Sequence, residues 1–507
     1  MLKNKIQQSM KKMNVYLLFI VILGALVRLA IHFTRDLWVD EIFTSYLMQQ
    51  NWWHMFSIII HDVHPPLYYI LLKIWTLIFG VSPLALRSFS LIFGLALIVM
   101  IFYLIKLIFK NNFLSYSAAF IFAVNPFFAD YSIESRTYML SALLTCLTIY
   151  FFARAWQKHK EIVFSKNWLY LSICLGLLFL THYVISVIIA INLLFIYIAV
   201  FIKNRQHKIK SNLWLIFKIS IIPASILLLW LPAFVTQMKL NTSAYWIPKM
   251  HFSRLAVSTY AFLFGVQSNA MGLQNVRNIT NHSPSLIIGA FILIVLLLSA
   301  ILIIKCINKA LKVYTGLALA CWLMPIIIFL ALSRYDIVNL YIERYFITSA
   351  VYFLIYVIFI LSLMNKKLVM AIMFLYLILV GTIYTTAYTS DLRYSALATK
   401  IKNEFSASDN IYFTDMSDFQ TIRYYLRNTN FNIYFYDDQY NSSQFAYDNE
   451  YKGYKIIQPA EIATSITKPQ PNDIFITTNE IDNIQFNKIC AFRDWQILTK
   501  QTNNTNF

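Results

Sequence analysis

Long, nearly uninterrupted apolar runs recur through this sequence and limit its possible folds more than any other feature. The run from Ser285 to Ile304, SLIIGAFILIVLLLSAILII, carries no charged residue. About 20 apolar residues are enough for a helix to cross a bilayer. Hydrophobic residues make up 59% of the 507 and charged residues only 13%, about half the charged fraction of soluble domains. The pattern predicts an all-α polytopic membrane protein.

The net charge of +19 would suit a nucleic-acid-binding protein, but the positions of the charges exclude that class. Most basic residues lie in short loops between apolar runs, where Lys and Arg mark the cytoplasmic side. We therefore expect membrane lipids around the chain and no nucleic-acid partner. The N-terminal apolar run is long and lacks a small-residue cleavage site, so we interpret it as a retained first span.

The basic clusters also predict the topology, because an even number of spans must separate loops on the same side. Eleven spans meet this condition and leave the C-terminal tail outside. The predicted spans are 14–33, 84–107, 113–129, 139–156, 168–181, 184–202, 213–236, 285–304, 313–332, 346–364 and 368–389.

Two apolar segments are excluded from this count. Pro66–Gly80 is about 15 residues long, short of the roughly 20 that a span requires, and counting it would invert every later loop. Glu41–Phe56 contains Trp52 and Trp53, residues typical of a membrane interface. Both are predicted to be juxtamembrane helices on the outer side.

The composition changes near residue 391, and the tail carries 14 of the chain's 23 acidic residues. A segment of helical periodicity, MSDFQTIRYYLRN, lies among short β-rich runs that predict strands: NIYFTD, NIYFYDD, GYKIIQ, DIFITT and WQILTK. The sequence therefore predicts two domains, a transmembrane domain over 1–390 and a small extracytoplasmic α/β domain over 391–507.

Every acidic residue of the transmembrane part except Glu161 falls on the predicted outer side, together with several Arg and His residues. Such a one-sided set at a membrane edge suits sugar transfer from a lipid-linked phosphate. Asp40 or Glu41 would supply the carboxylate base for an acceptor hydroxyl. Arg136 and Arg344 would hold the phosphate, with hydroxyl donors from Tyr138 and Tyr345.

Six motifs in order resemble glycosyltransferase family 39, the bacterial proteins similar to dolichyl-phosphate-mannose–protein mannosyltransferase. They also resemble the lipid A galacturonosyl- and aminoarabinose-transferases of the same GT-C superfamily. The motifs are WVDE, HPPLYY, LALRSFSLIFG, NPFFADYSIESRTY, THY and IERYF. The resemblance implies a GT-C fold and an inverting transferase that uses a polyprenyl-phosphate sugar.

The resemblance also assigns roles by position. Asp40 and Glu41 match the acidic pair, and His64 the proline motif, where some relatives have lysine. Asp62, Glu134, His182 and Tyr183 complete the predicted substrate-binding residues, with Arg136, Tyr138, Arg344 and Tyr345. The motifs identify no cofactor with certainty. A divalent metal ion stays open, since Asp62, His64 and His182 would offer mixed oxygen and nitrogen ligands.

Two other function classes compete with this interpretation. A transporter or flippase of lipid-linked sugars would also have many spans, but its charges would lie near the midplane on broken helices. A polysaccharide polymerase or ligase would use the same donors through one large outer loop. The sequence leaves the sugar open, and the acceptor as well: lipopolysaccharide lipid, another glycan or a protein. The expected location is a bacterial inner membrane, with the site on the periplasmic side.

Overall fold

The structure is a computed structural model of the chain. It describes residues 2–62, 64–158, 164–203, 209–240, 250–265, 284–306, 309–335, 337, 339–386, 393–406, 409–413, 416–436, 462–463, 473–477, 486–492 and 495–500. The predicted strand GYKIIQ, residues 453–458, lies outside the described residues.

Helices dominate the part of the chain that the structure describes. In chain order they are α1 Leu2–His32, α2 Val39–Gln49, α3 Trp52–His61, α4 Leu67–Phe79, α5 Pro83–Phe109, α6 Asn112–Val124, α7 Pro126–Ser132, α8 Tyr138–Lys158, α9 Lys166–Phe179, α10 Val184–Lys203, α11 Ile209–Leu240, α12 Arg254–Phe264, α13 Pro284–Cys306, α14 Lys309–Arg334, α15 Ile347–Leu361, α16 Lys366–Thr386, α17 Arg393–Glu404 and α18 Met416–Leu426. The strands are β1 Asn410–Phe413, β2 Asn432–Tyr436, β3 Ile462–Ala463, β4 Asp473–Thr477, β5 Phe486–Phe492 and β6 Trp495–Lys500.

The chain divides into two compact units. The first unit comprises residues 1–33 and 63–389, and the second comprises 34–62 and 390–507. The segment that contains the predicted acidic pair therefore groups with the C-terminal region and not with the helices that flank it in sequence.

The first unit is built from membrane-crossing helices. By length and composition, eight helices of the described residues can cross a membrane, or nine if one bent pair counts as a span. The eight are Val15–His32, Pro83–Phe109, Tyr138–Gln157, Val184–Ile202, Asn212–Gln237, Leu311–Arg334, Glu343–Leu361 and Lys366–Thr385. The protein is therefore a multi-pass membrane protein, which confirms the predicted fold class. Two predicted spans correspond to shorter apolar helices, Lys166–Phe179 and Ile287–Ser299.

The predicted span 113–129 is not one straight helix, because it bends by 59° between α6 and α7. Pro126 cannot donate a backbone hydrogen bond, and the Asn125 side chain caps α7 by accepting from Phe128 N at 3.1 Å. The buried Arg28 of α1 donates to carbonyls at the end of α6, at 2.8 Å to Ala123 O and 3.2 Å to Phe122 O. These bonds satisfy groups that the break leaves without helical partners.

Helix α4 matches the predicted non-spanning segment in position and length. Its 13 residues extend about 20 Å, well short of the roughly 30 Å hydrocarbon core. It ends at Gly80, whose φ of 75° lies in a region that favours glycine. The Trp75 indole N–H donates to Ala85 O at 2.9 Å and ties α4 to the start of α5.

The second unit contains a sheet with strand order β3-β2-β1-β4-β6-β5 among the described residues. Strands β3, β2, β1 and β4 are parallel, and β6 pairs antiparallel with both β4 and β5. Helices α17 and α18 pack on this sheet through a core that includes Leu397, Phe413 and Phe419. The predicted helix in MSDFQTIRYYLRN is confirmed as α18.

The predicted juxtamembrane helix 41–56 is wrong as one element. The chain forms α2 and α3, separated at Gln50 and Asn51. Asn51 is the reason for the new start, because its side chain accepts a hydrogen bond from His54 N at 2.9 Å and so acts as an N-cap.

Candidate active site

Arg136 forms side-chain hydrogen bonds that join two of the predicted motifs in the first unit. Its side chain is 3% exposed and lies just before α8. Its Nη1 donates to the Tyr69 hydroxyl at 3.0 Å, and its Nη2 donates to His64 Nε2 at 3.0 Å. Two motifs about 70 residues apart in sequence, HPPLYY and ESRTY, therefore meet through one guanidinium group.

The position of His64 is set by the start of α4. Leu67 N donates to Leu180 O at 3.0 Å, which fixes the HPP turn against the end of α9. A guanidinium can only donate, so the nitrogen that accepts from Arg136 must carry a lone pair. Arg136 Nη2 also lies 3.4 Å from His64 Nδ1, so the guanidinium faces both ring nitrogens and the His64 tautomer determines which of them accepts.

His182 stands beside His64 in the turn between α9 and α10. The two rings are in edge contact at 5.7 Å between centroids. The backbone N–H of Val184 donates to His182 Nδ1 at 3.3 Å, so the ring proton belongs on Nε2. Burial holds the pKa of His182 well below its usual value, and the positive charges of Arg136 and Arg344 add to this effect.

The RY pair of the IERYF motif reaches the same cluster. Residues Glu343–Phe346 form a 3-10 turn before α15. The Tyr345 ring lies 4.6 Å from the His182 ring, centroid to centroid, and the Arg344 guanidinium lies 5.6 Å from the Tyr345 ring centroid. We call His64, Arg136, His182, Arg344 and Tyr345 the cationic cluster. Sequence segments separated by more than 200 residues contribute to it.

A buried ion pair fixes the turn that carries Arg344. Arg254 Nε lies 2.9 Å from Glu343 Oε1, and both side chains are almost completely buried. Ser258 donates to the same Glu343 oxygen at 3.3 Å and is bonded to the Tyr341 hydroxyl at 2.5 Å. Sequence reasoning missed Arg254 and Ser258. The only available signal was an arginine in the long loop 237–284 that has no acidic residue nearby in sequence.

Glu134 and Tyr138 meet around Tyr131 of α7. The Tyr131 and Tyr138 rings are in edge contact at 5.1 Å. Glu134 and Arg344 both lie close enough to the Tyr131 phenol to interact with it electrostatically. The ESRTY segment therefore directs Arg136 toward His64 and directs Tyr138 toward α7.

Tyr183 packs against α11. Its hydroxyl donates to the Gln237 side chain and accepts from the Trp230 indole N–H at 2.7 Å. Its ring packs on Phe234 at 4.8 Å. These contacts give Tyr183 a role in helix packing, and its role in substrate binding stays a prediction.

Three of the predicted acidic residues, Asp40, Glu41 and Asp62, belong to the second unit. Asp40 and Glu41 lie in the first turn of α2, where the helix dipole favours a carboxylate. Glu41 is fully buried, whereas Asp40 is partly exposed. Asp62 caps the end of α3. Asp40 is thus the more accessible member of the pair.

His64 and His182, two of the three predicted metal ligands, lie side by side in the first unit. Each has a ring nitrogen close to a donor, Arg136 Nη2 for His64 and the Val184 backbone N–H for His182. Within the described residues, no three His, Cys, Asp or Glu side chains are grouped as metal ligands. A divalent metal ion bound by Asp62, His64 and His182 stays a prediction.

The cationic cluster is suited to binding an anion. It combines two guanidinium groups with two histidines in a buried setting, and charge-assisted hydrogen bonds are strongest there. An arginine fork matches the oxygens of a phosphate in a bidentate arrangement.

Residues 63–230 match the family model described as dolichyl-phosphate-mannose-protein mannosyltransferase. This segment contains His64, Arg136 and His182, and covers about a third of the chain. No curated protein sequence matches the chain.

Solved structures share the fold over almost the whole chain. ArnT from Cupriavidus metallidurans bound to undecaprenyl phosphate is 12% identical, with a TM-score of 0.56, and the match covers 96% of this chain and 98% of that one. An Archaeoglobus fulgidus oligosaccharyltransferase complex with Zn and sulfate is 14% identical at a TM-score of 0.46, covering 90% of this chain and 67% of that one. The chain is therefore a multi-pass membrane protein with the GT-C fold, similar to ArnT in structure and to the mannosyltransferase family in residues 63–230.

Proposed function

We propose that this protein is a membrane glycosyltransferase that moves a sugar from a polyprenyl-phosphate donor to an acceptor hydroxyl group. The observation that carries the proposal is the buried Arg136, oriented by Tyr69 and His64 beside His182, Arg344 and Tyr345. The ArnT structure, which contains undecaprenyl phosphate, supports a donor of this class.

The leaving group of such a reaction is a polyprenyl phosphate, which gains negative charge as the glycosidic bond breaks. Arg136 and Arg344 would stabilise that charge, because oriented donors in a buried site act without further reorganisation. Burial keeps the pKa of His182 well below its usual value, so this ring would not add a positive charge. His182 Nε2–H and the Tyr345 hydroxyl would supply further donors to the phosphate.

Asp40 is the proposed general base, and Glu41 is its buried neighbour. An acceptor hydroxyl is a weak nucleophile and needs a carboxylate to take its proton. A single direct displacement at the anomeric carbon inverts its configuration, with an oxocarbenium-like transition state that a nearby carboxylate stabilises. Asp62, Glu134 and Tyr138 are proposed to bind the sugar or the acceptor.

The proposed location is the inner membrane of a bacterium, with the site and the C-terminal region on the periplasmic side. The distribution of Lys and Arg supports this orientation. The donor tail would lie in the bilayer while the acceptor arrives from the aqueous side. A glycolipid, a glycan or a protein hydroxyl would each satisfy this chemistry.

The test is an assay of purified protein in nanodiscs with undecaprenyl phosphate linked to mannose, galacturonic acid or aminoarabinose. We expect one donor to be consumed, with release of undecaprenyl phosphate, when an envelope lipid extract supplies the acceptor. Intact donor that instead moves between the leaflets of proteoliposomes would favour the flippase alternative and contradict the proposal.

A further inference from the structure

The segment just before the acidic pair is bonded to the C-terminal region within the second unit. Leu37 N donates to the Tyr425 hydroxyl of α18 at 2.8 Å. Asp36 Oδ2 accepts from Ser395 N, at the start of α17, at 2.9 Å. Two consecutive residues of the first loop are therefore held by two helices located more than 350 positions later in the chain.

These bonds sit in a packed environment. Leu37 is 1% exposed, and Leu47 and Met48 of α2 are equally buried. Tyr425 packs against the core of the C-terminal region, which fixes the position of its ring. Arg423, two residues earlier, lies close enough to Tyr46 of α2 to interact with it electrostatically. Helix α18 thus contacts both the start and the middle of the acid-bearing helix.

The start of α2 lies close to these bonds. Trp38 at its N-cap makes no side-chain capping hydrogen bond. Trp38 O accepts from Glu41 N at 2.9 Å and from Ile42 N at 3.0 Å, so the helix begins at Val39, two residues after Leu37. A displacement of Leu37 would therefore be transmitted through one rigid turn to Asp40.

We infer that the C-terminal region is a positioning clamp for the acid-bearing helix, with Tyr425 and Asp36 as its positioning residues. This inference rests on the proposed role of Asp40 as the base. Tyr425 touches no reacting group in this account. It would fix where the carboxylate lies, and a small misplacement of a catalytic group lowers the rate without changing the affinity for substrate.

The experiment compares Tyr425→Phe with Tyr424→Phe in the full-length protein in nanodiscs. Tyr425→Phe removes the hydroxyl that accepts from Leu37 N. Tyr424 is a matched control on the same helix, because its ring contact with Arg427 does not need the hydroxyl. Asp36→Ala removes the second bond and provides an independent variant should Tyr425→Phe fold poorly.

The first readout is hydrogen exchange, which needs no substrate. We expect faster exchange confined to residues 34–48 in Tyr425→Phe and Asp36→Ala, and no change in Tyr424→Phe. The second readout is turnover of the undecaprenyl-phosphate sugar that the wild type consumes. We expect kcat to fall about 10- to 100-fold, with KM for the donor unchanged.

The outcomes separate this inference from the proposed function. Wild-type exchange and kcat in both variants would overturn the clamp, even where Asp40→Asn abolishes turnover. A fall in affinity for the donor with unchanged kcat would also overturn it. Faster exchange at 34–48 together with full turnover in Asp40→Asn would support the clamp and contradict the assignment of the base.

Discussion

The Arg136 guanidinium donates to His64 Nε2 at 3.0 Å while its other terminal nitrogen donates to the Tyr69 hydroxyl at the same distance. The two acceptors lie on either side of the paired prolines of HPPLYY. The proline turn therefore orients the arginine, and the histidine in it acts as a hydrogen-bond acceptor. This relationship explains why a histidine and a proline pair precede a short apolar helix.

Arg136→Lys and Arg344→Lys should each weaken donor binding. Lysine keeps the charge but has no planar fork, so it cannot hold a phosphate while it also satisfies the neighbouring acceptors. We expect a loss in donor affinity of about tenfold or more for each variant. Binding of undecaprenyl phosphate, measured by thermophoresis in detergent, checks this prediction.

Arg154→Lys is the control for the arginine variants. Arg154 is exposed at the end of α8 and stacks on Tyr150, away from the cationic cluster. It should bind undecaprenyl phosphate as the wild type does. Unchanged affinity in both Arg136→Lys and Arg344→Lys would refute the phosphate-binding role of the cluster.

The depressed pKa of His182 predicts a loss of stability in mild acid. The folded protein keeps this imidazole neutral, whereas the unfolded chain takes up a proton below its ordinary pKa of about 6.5. Stability contributed by the neutral ring is therefore complete above that pH and declines as the pH falls toward the lower folded-state pKa. Melting temperatures between pH 7.5 and 5 should fall less in His182→Gln than in the wild type.

His251→Gln provides the comparison for the pH series, since His251 is exposed. Its melting curve should follow the wild type at each pH. Identical pH dependence in His182→Gln and the wild type would show that His182 does not contribute to the acid sensitivity.

Glu343→Gln should destabilise the protein strongly. It leaves the buried Arg254 guanidinium without its counter-charge, and breaking a buried pair in this way typically costs about 3–5 kcal/mol. The exposed pair Lys400–Glu404 offers a contrast, and Glu404→Gln should change stability by about 0.5 kcal/mol or less. Unfolding in mixed micelles by SDS measures both, and equal effects would contradict the structural role of the Arg254–Glu343 pair.

Much of the fold could be predicted from local composition. Apolar runs predict which segments enter the membrane, so helices such as α5 and α10 are found near their predicted positions. Basic loops predict the direction of each span. The short helix α4 followed from its length and from the basic loops, because a span there would invert every later loop. Helix α18 and strand β1 were visible because their periodicity matches their one-sided burial. Strands β2, β4 and β6 coincide with the β-rich runs NIYFYDD, DIFITT and WQILTK.

Other features depend on tertiary contacts that no local pattern encodes. At the bend between α6 and α7, the side-chain amide of Asn125 donates a hydrogen bond to Phe262 O at 2.9 Å, and the two residues are more than 130 positions apart in sequence. Arg254 forms its buried ion pair with Glu343, and the backbone N–H of Leu37 donates its hydrogen bond to Tyr425. Neither partner is close in sequence. Tyr183 follows His182 directly, yet Tyr183 bonds to Trp230 and Gln237 of α11 whereas His182 packs on His64 and Tyr345.

The non-spanning placement of Pro66–Gly80 predicts how Ser82 is labelled. Ser82 caps the start of α5, and Asn111 lies just beyond its other end. In whole cells, Ser82→Cys should react with a membrane-impermeant maleimide, whereas Asn111→Cys should react only after permeabilisation. Labelling of the two positions in the opposite order would contradict this topology.

The most direct test of the account is turnover by Asp40→Asn in purified full-length protein. Asparagine keeps the size and polarity of the side chain but cannot take a proton from the acceptor. We predict that sugar transfer falls by about 10²- to 10⁴-fold while affinity for undecaprenyl phosphate and the melting temperature remain at their wild-type values. Transfer close to the wild-type rate would contradict the claim that this carboxylate is the base.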